Sequence, residues 1–171
     1  MCMSLSLLIA WCTGSSSNTV TIQDFSFSLP TTYQSISPTA LDNAQIAHHI
    51  IAAWKAINDT LILSESSIPS TIDIKTFTEQ TQARLTQNMI WYDQGKISST
   101  SFTCNNTKIS AYLHHFVQTD TSDKTKINVY YDQLYFIYND SIYILSLAQK
   151  EEKSIFSDIV DSLACVQKSS K

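Results

Sequence analysis

Residues 126–166 read KINVYYDQLYFIYNDSIYILSLAQKEEKSIFSDIVDSLACV, and this stretch decides the fold. Its first part alternates, so that Leu134, Phe136 and Tyr138 share one face of an extended chain. A period of two with aromatic and β-branched residues predicts a β-strand. Asn139-Asp140 then interrupts the pattern, and both residue types tolerate the positive φ of tight hairpins. The sequence therefore predicts a strand followed by a sharp turn.

The second part of the stretch predicts another strand and then a helix. Ile142–Leu147 is nearly all apolar, which is typical of a central strand covered on both faces. Polarity rises at residues 149–153, and apolar residues then recur at helical spacing: Ile155, Phe156, Ile159, Val160 and Leu163. This spacing predicts a terminal amphipathic helix with Cys165 in its last turn.

Composition sets limits on the class of protein. The 171 residues suit one domain with a short appendage, and 43% hydrophobic content is enough for a core. The formal net charge is −4 and there is a single arginine, Arg84. Nucleic acid is therefore not expected as a partner, because its phosphates require a basic surface.

The N-terminal segment has the features of an export signal. Its apolar run is too short to span a bilayer but suits the core of a signal peptide. Leu8-Ile9-Ala10 approaches Cys12, and a Ser-rich linker follows. This resembles a bacterial lipoprotein signal, in which Cys12 would be the lipidated first residue of the mature protein. The predicted organisation is a signal peptide over 1–11, a flexible tether over 12–20 and a domain over 21–167.

Trp11 departs from the lipoprotein pattern, which requires a small residue just before the cysteine. The chain also has only 2 glycines, where average usage would give about twelve. Both features are explained if UGA codons read as glycine in the source organism were translated as tryptophan, at Trp11, Trp54 and Trp91. TGG codons at these positions would contradict this hypothesis. The alternative is an ordinary signal peptide or a mis-assigned start at Met1.

The region before the middle of the chain predicts strands. Thr19–Leu29 alternates Phe and Leu with Ser, which predicts one half-buried strand ending at Pro30. Residues 31–45 are polar and predict a loop or one helical turn. Residues 46–57 permit a helix or a strand, and we favour a strand that turns at Asn58-Asp59 into a second one.

A helix is predicted after Pro69, opening at Ser70 or Thr71. Its apolar face repeats every three to four residues, at Ile74, Phe77, Thr81, Leu85 and Met89.

The residues after this helix predict a turn and a hairpin. Asp93-Gln94-Gly95-Lys96 has the composition of a turn. Residues 96–104 and 108–119 then form two strands around Asn105-Asn106.

These elements amount to an α+β fold, an antiparallel β-sheet of six to seven strands flanked by helices. Three passages carry a resemblance: DFSFSLP at 24–30, SSIPSTIDIKTFTEQ at 66–80, and the closing aromatic strands and helix ending DSLACV at 161–166. Over roughly residues 22–167 the chain resembles the PsbP-like superfamily. This resemblance implies a PsbP-like α/β/α sandwich but no common chemistry, because members of that superfamily bind different partners.

Two cysteines remain after Cys12 in the mature chain. In an exported domain the pair Cys104 and Cys165 suggests a disulfide, which would join the terminal helix to the hairpin. The alternative is two buried free thiols, which are common in cytosolic cores.

Two histidine pairs are the most suggestive residues for a metal site. His48-His49 and His114-His115 could bind zinc or copper if their strands were neighbours. Adjacent residues on a strand point to opposite faces, so each pair offers one imidazole to a site. No cysteine or carboxylate lies at ligand spacing beside them. We therefore expect surface or half-buried histidines, with no metal and no cofactor.

Other catalytic constellations are weak. Cys104 with His114 or His115 could form a thiol catalytic set, but a disulfide explains Cys104 more simply. Asp120 and Asp123 lack the pattern of a calcium loop. Hydrolase, phosphate-loop and dinucleotide-binding motifs do not occur in the sequence. No catalytic residues are predicted.

Three functions are compatible with the sequence. The one we favour is a non-enzymatic extracytoplasmic lipoprotein, held to the membrane by a lipid on Cys12, that binds or supports an envelope protein partner. The second is an enzyme with a His or Cys pocket, which a deep pocket holding His114 or His115 beside a carboxylate would favour. The third is a soluble PsbP-like partner-binding protein, which two free thiols would favour.

Overall fold

The computed structural model describes residues 16–41, 49–67, 72–88, 92–120 and 127–166. These residues form ten strands, two α-helices and one 3-10 turn at Pro38–Leu41. The strands are β1 (Ser17–Ile22), β2 (Phe25–Pro30), β3 (Gln34–Ile36), β4 (His49–Lys55), β5 (Asp59–Ser67), β6 (Tyr92–Cys104), β7 (Thr107–Asp120), β8 (Ile127–Tyr138), β9 (Ser141–Gln149) and β10 (Ala164–Cys165). The helices are α1 (Ile74–Asn88) and α2 (Ile155–Asp161).

Seven strands form one antiparallel sheet in the order β3-β4-β5-β9-β8-β7-β6. Strand β9 lies at its centre, between β5 and β8, and Ile142 to Leu145 are all buried. The apolar run predicted as a central strand is therefore confirmed. Its side chains alternate between two cores, because both faces of the sheet are covered.

The larger core lies between this sheet, a second sheet and α2. The second sheet has three strands in the order β1-β2-β10. Phe25, Phe27 and Leu29 of β2 are buried in this core. The ring of Phe25 makes edge-to-face contacts with Phe136 and Tyr143, at centroid distances of 5.3 and 4.9 Å. Such contacts favour a single arrangement of the two sheets.

The smaller core lies on the other face, under α1. Ile74 and Phe77 of α1 pack against Tyr135, Ile142 and Ile144. The helix therefore covers the sheet with one face, as its predicted apolar repeat requires.

Asp73 begins α1 as its N-cap. Its carboxylate accepts hydrogen bonds from the backbone N–H of Thr76 at 2.9 Å and from the Thr76 hydroxyl at 2.8 Å. These bonds favour the charged form and lower the pKa of Asp73. The helix thus starts later than predicted, and Ser70 and Thr71 lie outside the described residues.

The strand predicted over Thr19–Leu29 is instead a hairpin. Strands β1 and β2 pair antiparallel, and Gln23 adopts a positive φ of 51° at their turn. The prediction missed this turn because glutamine is an uncommon residue for such a conformation. Since β1 begins at Ser17, the predicted tether over 12–20 is also too long: its last four residues belong to the folded domain.

The strand pair favoured for residues 46–57 and beyond is confirmed over the described part, where β4 and β5 form a hairpin. The predicted helical turn lies at Pro38–Leu41, while the short strand β3 was missed.

Trp54 of β4 is buried, with its ring 5.4 Å from that of Phe27. A glycine would leave this volume of the core empty, which weighs against recoding at this position. Trp11 and Trp91 lie outside the described residues.

The residues predicted as a turn over 93–96 belong to β6. The pairing of β6 with β7 shifts between Asp93 and Lys96, which is a β-bulge. Gly95 has a φ of +59°, and its N–H donates to the Asp93 carboxylate at 3.1 Å. The composition resembled a turn because bulges and turns use the same positive-φ conformations.

Two predicted hairpin turns are confirmed. Asn105 and Asn106 have φ values of 48° and 64°, and Asn139 and Asp140 have 48° and 61°. Two consecutive positive φ values match the twist of the flanking strands.

The terminal helix is shorter than predicted. It ends at Asp161, and Ala164–Cys165 pairs with β2 as strand β10. Cys165 therefore lies on a strand rather than in the last turn of a helix. Ser162 ends the helix by donating its hydroxyl to the carbonyl of Ile159 at 2.8 Å and accepting the N–H of Ser28 at 2.8 Å.

The fold is α+β, with a seven-stranded antiparallel sheet, but it is richer in strand than an α/β/α sandwich. The second sheet and α2 together cover one face of the large sheet, whereas in an α/β/α sandwich helices alone would cover that face. Ser16 and the β4–β5 turn lie at one end of the large sheet, called here the Ser16 end. Cys104 and Cys165 lie at the opposite end, called the disulfide end, where β10 meets Phe25.

Candidate functional site

A cleft of about 320 Å³ lies between α2 and the outer strands of the large sheet. Most of its lining residues are polar: Lys96, Ser98, Thr100, His114, His115, Asp132, Lys153, Ser154, Ser157 and Asp161. Leu113, Phe156 and Val160 supply its apolar part. An apolar surface with convergent polar groups is the usual composition of a ligand site.

Strand register brings the central polar groups together. Lys96 of β6 is opposite His115 of β7, which is opposite Asp132 of β8. Residues in one cross-strand row share a face of the sheet, so all three side chains point toward α2. Gly95 stands next to this row, and a Cβ there would overlap the carbonyl oxygen of His115. The bulge therefore needs glycine for both φ and space.

His115 and Asp132 form the clearest pair in the cleft. The His115 Nδ1 atom lies 2.8 Å from Oδ1 of Asp132, and its Nε2 atom lies 3.9 Å from Oε1 of Glu152. The His115 side chain is 40% exposed and that of Asp132 is 20% exposed. A carboxylate on Nδ1 fixes the ring and leaves Nε2 toward the cleft, as a general base requires. Across the described ranges no hydroxyl is hydrogen-bonded to His115, so a nucleophile is not in place.

A second polar cluster lies beside the cleft. The buried carboxylate of Asp59 is 3.3 Å from Nζ of Lys153 and accepts the Tyr33 hydroxyl at 3.2 Å. Burial and the nearby Asp59 charge raise the pKa of Tyr33 above its ordinary value, because both disfavour the phenolate. Lys153 thus ties the segment before α2 to the start of β5.

Gln149 borders this cluster. It pairs with Asp59 across β5 and β9, and it is 1% exposed. In the part of the chain that the structure describes, neither of its side-chain amide atoms has a hydrogen-bond partner. Buried amides nearly always have one, so an ordered water is expected here.

The described histidines of the two pairs do not form a common site. Strands β4 and β7 are separated by three strands, so His49 and His114 are not neighbours. His114 is buried on the opposite face of β7, with its ring 4.8 Å from that of Phe116. His49 is exposed and His48 lies outside the described residues. Among the residues with described positions, no group of three or more His, Cys, Asp or Glu side chains could hold a metal ion.

The two predicted disulfide partners are brought together. The Sγ atoms of Cys104 and Cys165 lie at disulfide distance, with their Cα atoms 4.9 Å apart. Cys104 is therefore not available as a thiol beside His114 or His115, which lie further along β7. Cys12 and Asp123 lie outside the described residues.

Sequence reasoning missed Asp132 as the partner of His115. The two residues are 17 positions apart and meet only through the register of β7 with β8. The alternating apolar residues of β7 and β8 could have indicated this pair. When the two strands are aligned as a hairpin so that their apolar residues share a face, Asp132 lies opposite His115. The search for a carboxylate close in sequence could not find it.

No helix within the described ranges is long and apolar enough to cross a membrane.

Comparisons with known proteins identify the fold alone. No protein-family model and no curated protein sequence matches the chain. The Saccharomyces cerevisiae Ran-binding protein Mog1p is similar in structure, with a TM-score of 0.51 and 9% identity over 87% of this chain and 95% of that one. LpqN, involved in cell envelope biogenesis of Mycobacterium tuberculosis, has a TM-score of 0.51 and 9% identity over 89% of this chain and 91% of its own. Both share the PsbP-like fold, as the sequence resemblance implied.

Proposed function

We propose that this protein is a lipid-anchored domain on the extracytoplasmic face of the cell membrane. In this proposal a lipid on Cys12 holds the domain, which binds or supports another component of the envelope without catalysing a reaction. The disulfide between Cys104 and Cys165 carries the proposal, because disulfides persist in oxidising compartments and are rare in the cytosol.

Two further observations support it. Cys12 is preceded by a short apolar run and followed by a Ser-rich segment, as in lipoproteins. The structural neighbours are named for cell envelope biogenesis in one case and Ran binding in the other. Both names are compatible with a fold that serves binding or support, which is the role proposed for this chain.

The test is an intact mass of the protein, isolated from its native membranes without reduction. We expect the mass of the chain from Cys12 onward plus a diacylglyceryl or triacyl group, less two hydrogens for the disulfide. The same measurement distinguishes tryptophan from glycine at residues 54 and 91. A full-length, unlipidated mass with free thiols would contradict the proposal and favour the soluble partner-binding alternative.

A second candidate function is hydrolysis that uses His115 as a general base. The pairing of His115 with Asp132 in a polar cleft is the observation that favours it. Its test compares the purified protein with His115→Gln on chromogenic esters and phosphoesters, with the exposed His49→Gln as a matched control. Turnover lost only in His115→Gln would establish an enzyme. Equal background rates in all three proteins would contradict this candidate.

A further inference from the structure

The two large apolar side chains that stand out as exposed among the described residues lie at the same end of the molecule. Ile57, in the β4–β5 turn, is 95% exposed, and Ile127, which begins β8, is 40% exposed. Asp59 follows Ile57 by two residues, and Tyr130 follows Ile127 by three residues. Asp59 and Tyr130 lie in one row of the sheet, because both pair with Gln149 of β9. Both isoleucines therefore lie at the same end of the sheet, Ile57 in a turn beyond β5 and Ile127 at the start of β8, opposite Asp120.

The described chain also begins at this end. The Ser16 carbonyl accepts the N–H of Thr31 at 3.1 Å, and the two hydroxyls are 2.9 Å apart. Gln34, three residues after Thr31, pairs with Lys55, which is next to the turn that carries Ile57. The segment leading back to Cys12 therefore leaves from the end that exposes the isoleucines.

The length of that segment limits where the domain can lie. Cys12 precedes Ser16 by four residues, which span at most about 14 Å when fully extended. A lipid on Cys12 would thus keep Ser16 and its surroundings within this distance of the headgroups. The disulfide end would face away from the membrane.

The Ser16 end carries no excess of basic residues. Three lysines and five acidic residues lie there: Lys55, Lys150, Lys153, Asp59, Asp93, Asp120, Glu151 and Glu152. Attraction to anionic lipid is therefore weak, and contact with a bilayer must come from apolar insertion.

We propose that the Ser16 end of the domain lies against the lipid bilayer, with Ile57 and Ile127 inserted among the headgroups. The inference rests on the proposed anchor at Cys12. Single exposed apolar residues are ordinary on protein surfaces, but these two share one end with the anchored segment. The anchor raises the local concentration of lipid at this end, so a weak apolar contact suffices for stable docking.

The test attaches the domain to a membrane through a covalent bond between the Cys12 thiol and a lipid. All described residues follow Cys12, so the chain from Cys12 onward contains the whole described domain. With Cys104 and Cys165 oxidised, the Cys12 thiol is free for coupling to a maleimide lipid in nanodiscs. Isoleucine δ1 methyl groups are labelled with ¹³C, and a nitroxide is placed near the headgroup end of the acyl chains.

We expect strong paramagnetic broadening of the Ile57 and Ile127 methyl signals. Ile109 and Ile137 serve as internal controls, because they lie next to the hairpin turns at the disulfide end and should stay sharp. Ile57→Asp should shift the docking equilibrium roughly ten- to hundred-fold away from the membrane, the value of burying one isoleucine. Broadening at Ile127 would then fall as well.

Three results would overturn the inference: broadening greatest at Ile109 and Ile137, equal broadening at all four methyls, or none. The last is also the result expected if a protein partner, not lipid, covers Ile57. Because the coupling imposes the anchor, these results are independent of whether cells lipidate Cys12. The intact mass alone decides that question, so the two proposals fail separately.

Discussion

Asp59 is a buried carboxylate with two side-chain partners among the described residues. Nζ of Lys153 lies 3.3 Å away, and the Tyr33 hydroxyl donates a hydrogen bond to the carboxylate at 3.2 Å. Removing one member of such a pair leaves a buried charge with fewer partners, which costs more than the pair contributes when intact.

Lys153→Met should therefore destabilise the protein by about 1–3 kcal/mol, less than for a fully buried pair because the lysine is 40% exposed. Urea denaturation measures this change. Lys150→Met is the matched control, since Lys150 is exposed and should change stability by less than about 0.5 kcal/mol. Equal effects of the two substitutions would show that the Asp59 contact contributes nothing.

Tyr33 gives this cluster a dependence on pH. Its pKa is raised in the folded protein, so folding favours the neutral phenol. The resulting stability is fully present below the ordinary tyrosine pKa near 10 and is lost as pH rises above it, because the unfolded chain then ionises.

Denaturation midpoints measured from pH 9 to 11 should therefore fall, with a contribution from Tyr33 of up to about 1.4 kcal/mol per pH unit. Tyr33→Phe should reduce this slope. Some loss of stability with rising pH will remain in this variant, since burial also raises the pKa of Tyr131 and Tyr143. An identical slope in Tyr33→Phe would contradict the assignment.

At the scale of elements, the β6 bulge places Lys96 in the row of His115 and Asp132. Gly95→Ala should cost at least about 1–3 kcal/mol, because φ is +59° and the added Cβ meets the His115 carbonyl. The Lys96 and His115 side chains should also move, which NMR chemical shifts of His115 would report. Asn106→Gly is the matched control at another positive-φ position, and its stability should be unchanged or slightly raised.

The elements also show which features a sequence can predict. Asn105-Asn106 and Asn139-Asp140 were recognised because their turn chemistry is local. The same chemistry at Asp93 and Gly95 was misread, since only pairing with β7 distinguishes a bulge from a turn. Cys165 was assigned to a helix because its strand partner, Phe25, is distant in sequence.

The candidate cleft was less predictable than the sheet for the same reason. Strands β7 and β8 were each found from their own alternation, but His115 and Asp132 meet only once these two strands are in register. The sequence analysis noted the histidines as the most suggestive residues but found no carboxylate beside them, whereas the structure places Asp132 next to His115.

At the scale of the whole molecule, the disulfide joins the two sheets across 61 residues of sequence. It links the end of β6 in the large sheet to β10 in the small one. Closing a loop of this length restricts the unfolded chain and stabilises the fold by roughly 4 kcal/mol at most.

Reduction, or Cys104→Ala with Cys165→Ala, should lower the free energy of unfolding by up to that amount. Urea denaturation with and without reductant measures it, with reductant added to the double variant as the control. The Asp59 cluster lies at the other end, so the effect of Lys153→Met should add to that of reduction. A double variant as stable as the oxidised protein would contradict a stabilising disulfide.

The position of β9 has a consequence for when the chain can fold. This strand is central in the sheet but is the ninth of the ten described strands, and Leu63 meets Leu145 only when both segments exist. The two main cores share β9, so the smaller core cannot close until Ile144 has been synthesised and the larger core cannot close until Leu163 has been. A nascent chain of this topology stays threadable through a translocation pore until β9 and α2 have been made. Slow closure of long-range strand pairs, a liability for refolding in a test tube, is thus an advantage for a protein that crosses a membrane before it folds.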